Sequence, residues 1–414
     1  MKVYIGYSGC KVNQFEKNLL EEKFIELGAS IVSNFRDADL IIFNTCCVTK
    51  NAEYGSRQAI RKIASDNSHA KIIVTGCYAE KNRQELLTLP KVISVIGNTD
   101  KINIPYILMK VNQKHTSGLN FTYKRIFKER SRAFLKIQDG CDSFCSYCIV
   151  PYVRGKPVSM DESLVIKNLK NLKDEKEVVL TGIHLGKWGI DKDKDFSYLM
   201  KTIKNLSLSF RIRLSSLEPN EINEELLKIL SDMDNFCPHF HIPLQSGSNR
   251  ILNLMKRDYK NQDFLKIITL IRNYFPDAGI GVDLIVGFPT ESDNDFYDTY
   301  EFIKNLPIDY LHIFRFSPRE GTYAFKLEPK VSKHIIKERA ALMTLVDREK
   351  RSLFEDRFVG KEVKCLFDRV EKGFYRFITR EYLKVYSKNI DVKDEFTARV
   401  IRDSSLKLEI IPST

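Results

Sequence analysis

The cysteines of GCDSFCSYC constrain this chain more than any other stretch of it. Cys141, Cys145 and Cys148 form a C-x-x-x-C-x-x-C array just behind the β-rich run Phe134–Gln138. Three thiolates on one tight loop can hold three irons of a cubane cluster and leave the fourth iron open, as an open catalytic metal site requires. A structural zinc site takes four closed ligands, and neither a fourth Cys nor a His stands in the twenty residues after Cys148. Zinc, or three unliganded core cysteines, remain the alternatives at this point.

Strand–helix alternation runs through most of the 414 residues. In the first hundred, Lys2–Tyr7, Asp39–Asn44, Lys71–Thr75 and Ile93–Ile96 are rich in Val and Ile and read as buried strands. Between them Asn13–Leu27 and Thr49–Ala64 read as helices, with Phe15, Leu19, Leu20, Phe24 and Leu27 at helical spacing. The alternation predicts a doubly wound parallel α/β domain over 1–112. Residues 113–130 interrupt it as a basic linker, where Lys124, Arg125, Lys128, Arg130 and the following Arg132 face a single acid, Glu129. This is either a solvated linker or a nucleic-acid-facing strip with Phe121, Tyr123 and Phe127 interleaved.

Over 131–355 the alternation resumes with Phe134–Gln138, Val178–Thr181, Arg211–Ser215, Phe240–Leu244, Gly281–Val286 and Leu311–Phe316 as strands. Six units fall short of a full eight-stranded barrel, so a partial (β/α)6 barrel is expected. Beyond the charged helix Lys333–Phe354, residues 356–414 change to period-two alternation, which predicts a small antiparallel β-barrel.

Lys and Arg number 66 against 54 Asp and Glu, a formal net charge of +12. Such an excess favours a polyanionic partner. Nucleic acid is preferred to membrane, because no run approaches the ~18 to 20 apolar residues of a spanning helix and the N-terminus lacks the ordered regions of a signal peptide. A cytoplasmic location is expected. There, nine scattered cysteines point to metal or catalysis before disulfides. Cys10, Cys46 and Cys77 share one context, each lying just past a strand in VYIGYSGC, LIIFNTC and KIIVTGC. Such ends converge on one crevice of a doubly wound sheet, so a second three-Cys iron–sulfur site is expected. Cys47, Cys237 and Cys365 read as structural, the ordinary fate of a buried Cys.

The residue before the last Cys of the array, Tyr147, is aromatic, as in the radical S-adenosylmethionine signature. Further blocks are GCKVNQ (Gly9–Gln14), NTC-x-V (Asn44–Val48), TGCYAE (Thr75–Glu80), TGIHLGKWG (Thr181–Gly189), RLSSLEP (Arg213–Pro219), HIPLQSGS (His241–Ser248), DLIVGFPTES (Asp283–Ser292) and FRFSPREGT (Phe314–Thr322). With them the chain resembles the radical S-adenosylmethionine methylthiotransferases over nearly its whole length. The resemblance implies an auxiliary 4Fe-4S cluster on Cys10, Cys46 and Cys77. It implies a second cluster on Cys141, Cys145 and Cys148 that binds S-adenosyl-L-methionine in a radical-SAM barrel, and a C-terminal TRAM domain. It also places Tyr147, Thr181, Gly182, Glu218 and Gln245 in cofactor-lining motifs, although each is also readable as a turn or packing residue. His184, His239 and His241 flank those strands and read as structural.

Both open irons must then face one cavity between domains. GCKVNQ is similar to the branch that adds a methylthio group to carbon 2 of threonylcarbamoyladenosine beside the tRNA anticodon. The implied partners are the tRNA anticodon stem-loop and an electron donor protein. Isopentenyladenosine or a ribosomal-protein aspartate is the alternative substrate. A non-catalytic iron–sulfur or zinc RNA-binding protein is the alternative of another class.

Overall fold

A computed structural model describes residues 1–111, 119–126, 131–390, 392 and 394–402, together with the backbone of 408–412. The N-terminal body is a parallel sheet of β1 (Lys2–Tyr7), β2 (Ser30–Ile31), β3 (Leu40–Thr45), β4 (Lys71–Gly76) and β5 (Val92–Ile96), in the order β2-β1-β3-β4-β5. Of these strands β2 alone goes beyond the sequence expectation, since two residues are too few to leave a periodic signal. Successive side chains of a strand face opposite ways, and β3 is buried on both. Leu40 and Ile42 pack with Leu20 and Phe24; Ile41 and Phe43 pack with Ile60 and Ile63.

Helix Lys11–Glu26 serves two cores. Leu20 and Phe24 face the sheet, whereas Phe15 and Leu19 belong to the core of the central body. Sandwiched in this way, the helix also buries Glu16, Lys17, Glu21 and Glu22. Buried charges need partners, and here Lys17 meets Glu21 at 2.8 Å and Glu16 meets Lys101 at 2.5 Å.

In the central body, two short strands, β7 (Gln138–Asp139) and β8 (Val158–Ser159), pair antiparallel behind β6 (Arg132–Lys136). The main strands are β6, β9 (Glu177–Thr181), β10 (Arg211–Leu214), β11 (His239–Gln245), β12 (Gly279–Val286) and β13 (Tyr310–Arg315). They form parallel ladders β6-β9-β10 and β11-β12-β13, joined through an Ile212–Phe236 bridge. This is a partial barrel of six strands, as expected. Helix Lys11–Glu26 packs on β6 at one open edge, and helix Lys333–Asp356 packs on β13 at the other.

The basic linker differs from both of its sequence readings at Phe121, Tyr123 and Arg125, while Asn120, Lys124 and Ile126 are exposed. Phe121 and Tyr123 are buried against Phe15, with ring centroids 5.4 and 5.0 Å away. Glu22 accepts the backbone N–H groups of Lys124 and Arg125 at 2.9 and 2.7 Å, and buried Arg125 pairs with Glu175. The two aromatic rings gain more from the apolar side of the helix than from solvent or RNA, so both are core. Phe127, Lys128 and Arg130 lie outside the described residues.

The C-terminal body is a closed barrel of β14 (Glu362–Glu371), β15 (Phe374–Thr379), β16 (Lys384–Ser387), β17 (Phe396–Arg402) and β18 (Leu408–Pro412). Its pairings are antiparallel except for one parallel bridge, Tyr386–Glu409, which closes it. The barrel is seated on the central body around Glu177. This fully buried carboxylate accepts from Arg211 Nε at 2.6 Å and Arg213 Nε at 2.9 Å. The same arginines donate to the carbonyls of Ile378, Thr379 and Arg380 at 2.9, 3.1 and 2.9 Å. Cys47, Cys237 and Cys365 are fully buried. Among the described residues, no helix is long and apolar enough to cross a membrane.

Candidate active site

The order β2-β1-β3-β4-β5 changes direction between β1 and β3, and open α/β sheets take ligands beyond the carboxyl ends of strands at such a switch point. Cys10 follows β1 as the N-cap of helix Lys11–Glu26, Cys46 follows β3, and Cys77 opens a short helix behind β4. The three loops meet there. Gly9 has φ +95, and a Cβ on it would lie 2.6 Å from Cys46 Cβ, so only glycine lets the first loop pass the second. Asn13 Nδ2 ties both loops together by donating to the carbonyls of Ser8 at 2.7 Å and Thr45 at 3.1 Å. Burial pushes the Cys46 thiol up to about 12, with the charges of Cys10 and Cys77 adding to the effect. All three cysteines are free. Three soft donors at a helix N-terminus and two strand ends fit an iron–sulfur cluster.

The second triad sits on the loop behind β6 and β7. Gly140, at φ +76, passes so close to the chain that a Cβ would stand 2.0 Å from the Lys156 carbonyl oxygen. Cys141 Sγ is 3.3 Å from His184 Nδ1 and accepts the Ser143 backbone N–H at 3.5 Å. Burial raises this thiol, but the bonds from His184 and Ser143 outweigh it and leave the pKa below its ordinary value. Cys145 accepts from Arg257 Nη1 at 3.2 Å, and Arg257 in turn pairs with Glu218. Burial pushes Cys148 up to about 12, and Cys145 and Cys141 add to it.

Among the described residues, the one group of three Cys, His, Asp or Glu whose ligand atoms lie within 4.8 Å of one another is His241, Asp283 and His312.

A cavity of about 200 Å3 is lined by residues that adjoin one cysteine of each triad, and by none of the six cysteines themselves. Val48 and Thr49, just past Cys46, line it together with Tyr147 of the second loop, Gln245, Asp283 and Arg315. Across the same seam Arg319 pairs with Glu53, and the Lys50 backbone N–H donates to Ser317 Oγ at 3.0 Å.

The residues expected to bind the cofactor separate into three groups. Tyr147 and Gln245 line the cavity of about 200 Å3. Glu218 lines a neighbouring cavity of about 220 Å3 with Cys145, His184 and Arg257. Thr181 and Gly182 line neither cavity. Thr181 is the buried end of β9, and a Cβ on Gly182 would stand 2.9 Å from Gln138, whose Oε1 accepts the His184 backbone N–H at 2.8 Å. Gly182 thus packs against the residue that holds His184, whose Nδ1 is 3.3 Å from Cys141 Sγ. Gln245 has φ +69 at an irregularity in the β11–β12 register. Bulges of this kind re-aim a side chain, and a left-handed non-glycine backbone of this sort stores of order 1–3 kcal/mol.

Sequence reasoning reads His241 as structural and passes over Asp283 and His312. His241 Nε2 lies 2.8 Å and His312 Nδ1 3.4 Å from the same Asp283 oxygen. Period-two spacing in His239-Phe-His241 shows which residues share a face, but the pairing of three strands is needed to assemble the group.

The chain matches the profile of the Radical SAM superfamily over residues 135–303 and that of "uncharacterized protein family UPF0004" over residues 2–97. It is 41% identical over 398 residues to the threonylcarbamoyladenosine tRNA methylthiotransferase MtaB of Aquifex aeolicus, covering 93% of this chain and 96% of that one. Identity to the protein of the same name in Thermotoga maritima is 35%, over 92% and 90% of the two chains. The tRNA-2-methylthio-N(6)-dimethylallyladenosine synthase of Clostridium novyi is 30% identical, over 90% and 86%. Among solved structures, the radical S-adenosylmethionine methyltransferase TsrM of Kitasatospora setae superposes with a TM-score of 0.55 at 11% identity, over 76% of this chain and 74% of that chain, a likeness of fold alone. Sequence kinship at this level runs through both cysteine-bearing bodies at once, and so the chain belongs to the radical S-adenosylmethionine tRNA methylthiotransferase family.

Proposed function

We propose that the chain adds a methylthio group to carbon 2 of threonylcarbamoyladenosine beside the anticodon of tRNA, with Cys10, Cys46 and Cys77 holding one 4Fe-4S cluster and Cys141, Cys145 and Cys148 the other. The observation that carries this reading is a cavity lined by residues adjoining both Cys46 and Cys148. When bound, the clusters and S-adenosylmethionine supply the reductive cleavage that activates the adenine carbon and the methylated sulfur that is transferred. An electron donor protein is the further partner this requires.

The chain's own residues bind, orient and shield. Tyr147 packs beside Ile251, Met255 and Phe288 and walls one side of the cavity. Arg315, at the end of β13, is the cation in the lining, and a guanidinium matches the threonyl carboxylate as a bidentate partner. Asp283, held by two imidazoles, offers an acceptor on the same wall to N–H groups of the carbamoyl link. The Arg319–Glu53 pair fastens the seam beside the cavity.

RNA would approach over the junction of the C-terminal barrel and the central body. A cavity of about 370 Å3 there is lined by Arg132, Arg369, Arg376, Lys384 and Tyr382, with Asp368 the one acid. Tyr382 and Lys384 also line the adjoining hollow that reaches His312, so the cationic surface leads toward the chamber. Phosphate contacts supply affinity there, and an anticodon loop is already single-stranded, which lowers the cost of extracting the base.

Two measurements test the reading. Anaerobic reconstitution should give about eight irons per chain and cleavage of S-adenosylmethionine under reductant; zinc without cleavage refutes it. Nucleoside mass analysis of tRNA from a strain lacking the gene should show loss of the methylthio form of threonylcarbamoyladenosine. Loss of a different methylthio nucleoside refutes the substrate.

A further inference from the structure

Arg154 belongs to the central body, six residues beyond Cys148, yet its guanidinium lies in the site of Cys10, Cys46 and Cys77. Its side chain is 1% exposed. Nε donates to Cys77 Sγ at 3.2 Å, and Nη2 donates to Asn13 Oδ1 at 2.9 Å. Nη1 donates to Glu16 at 2.8 Å and to Asp139 at 3.0 Å. Since Asn13 also donates to the carbonyls of Ser8 and Thr45, one cation reaches all three cysteine loops. Nothing in the N-terminal sequence announces this, because the residue comes from another body.

The charge count around Arg154 is uneven. Glu16 and Asp139 face Arg154, Lys136 and Lys101, with Lys136 at 3.0 and 2.9 Å from the two carboxylates and Lys101 at 2.5 Å from Glu16. Two carboxylates thus meet three cations, and Glu80 and Lys156, which line the same cavity, add one charge of each sign, so one cation stays in excess, with Arg154 on Cys77. The carboxylates already satisfy the lysines, so the arginine's remaining N–H is spent on a sulfur. Arg257 on Cys145 repeats the motif at the other triad, again with a carboxylate behind it, Glu218. Net charge and hydrogen bonds to ligand sulfur are two determinants of the reduction potential of an iron–sulfur cluster.

We propose that Arg154 is a positioning residue for the auxiliary cluster, which orients the Cys77 sulfur and raises the cluster's reduction potential through a hydrogen bond and one excess positive charge. The proposal rests on the assignment of that cluster to Cys10, Cys46 and Cys77.

The test uses the full-length chain with Cys141, Cys145 and Cys148 all replaced by alanine, reconstituted anaerobically, so that a single cluster of about four irons remains. Its midpoint potential is read by a reductive titration followed by electron paramagnetic resonance. Arg154→Gln should lower the midpoint so that the reduced-to-oxidised ratio at fixed potential falls at least tenfold, about 59 mV for one electron. Arg154→Lys, which keeps the charge, should recover part of the shift. Glu16→Gln leaves Arg154 in place and removes a negative charge, so it should move the midpoint upward; general damage to the site would not produce opposite signs. An unchanged midpoint in Arg154→Gln overturns the proposal. If that variant holds no iron, unchanged midpoints in both Arg154→Lys and Glu16→Gln overturn it instead. A triple-alanine chain that takes up no iron removes the cysteine assignment and the proposal with it, an outcome distinct from an unchanged potential.

Discussion

Replacing Glu177 with Gln should unseat the C-terminal barrel from the central body. The carboxylate is fully buried at the start of β9 and accepts from Arg211 and Arg213 at 2.6 and 2.9 Å, with Arg132 close by. Burial alone would raise its pKa, but Arg213, Arg211 and Arg132 together hold it well below the ordinary carboxylate range. The amide keeps the shape and removes the charge, taking from buried Arg213 its carboxylate partner, while Arg211 keeps Glu395 at 3.0 Å and Arg132 keeps Asp368 at 3.1 Å. Breaking one partner of a buried pair costs about 3–5 kcal/mol. At about 2–4 °C per kcal/mol for a body of this size, the melting temperature should fall by roughly 6–20 °C.

The sign of the pH dependence follows from the depressed pKa. The stabilisation is complete above the unfolded carboxylate value of about 4.3 and disappears as pH falls toward the lower folded value. Thermal unfolding of both proteins from neutral to acid pH should therefore show a gap that narrows below about pH 4.3. Amide exchange over Ile378–Tyr382, the turn whose carbonyls the arginines hold, should quicken in the variant. A Glu177→Gln chain within about 0.5 kcal/mol of wild type, or a gap independent of pH, would refute the reasoning.

Gly9→Ala should cost the auxiliary cluster alone, about four of eight irons by chemical analysis, because the new Cβ meets Cys46 Cβ at 2.6 Å. Arg315→Gln should raise KM for threonylcarbamoyladenosine tRNA by about 10- to 150-fold, the worth of a charged hydrogen bond, with the iron content unaltered; steady-state kinetics would check it. Replacing Arg369 and Lys384 together by alanine should weaken tRNA binding and make the slope of log K against log salt shallower by about 0.7 for each phosphate no longer neutralised, as measured by a salt series of filter-binding titrations.

The fold was largely legible because strand–helix alternation carries its own period. The Val- and Ile-rich runs at Lys2–Tyr7 and Lys71–Thr75 lie in β1 and β4. Where burial overrode composition, the reading failed. Phe121, Tyr123 and Arg125 look like a basic, exposed strip in sequence and are core in the structure, because helix Lys11–Glu26 has a second apolar face to fill. Of the residues expected to bind the cofactor, Tyr147, Gln245 and Glu218 line a cavity, while Gly182 packs against Gln138, which holds His184. A motif records which residues recur together and is silent on whether each touches the ligand or its support.

Sequence by itself determined the kinds of atom available and the strand ends that carry them: two sets of three thiols, each just beyond a β-rich run, in a basic α/β chain. Those are local properties, set by spacing and periodicity. Tertiary structure alone decided what surrounds the thiols. The cation on Cys77 arrives from 77 residues away, and the carboxylate shared by His241 and His312 needs three neighbouring strands in register. Charge and hydrogen bonding act through space, and only folding sets those distances.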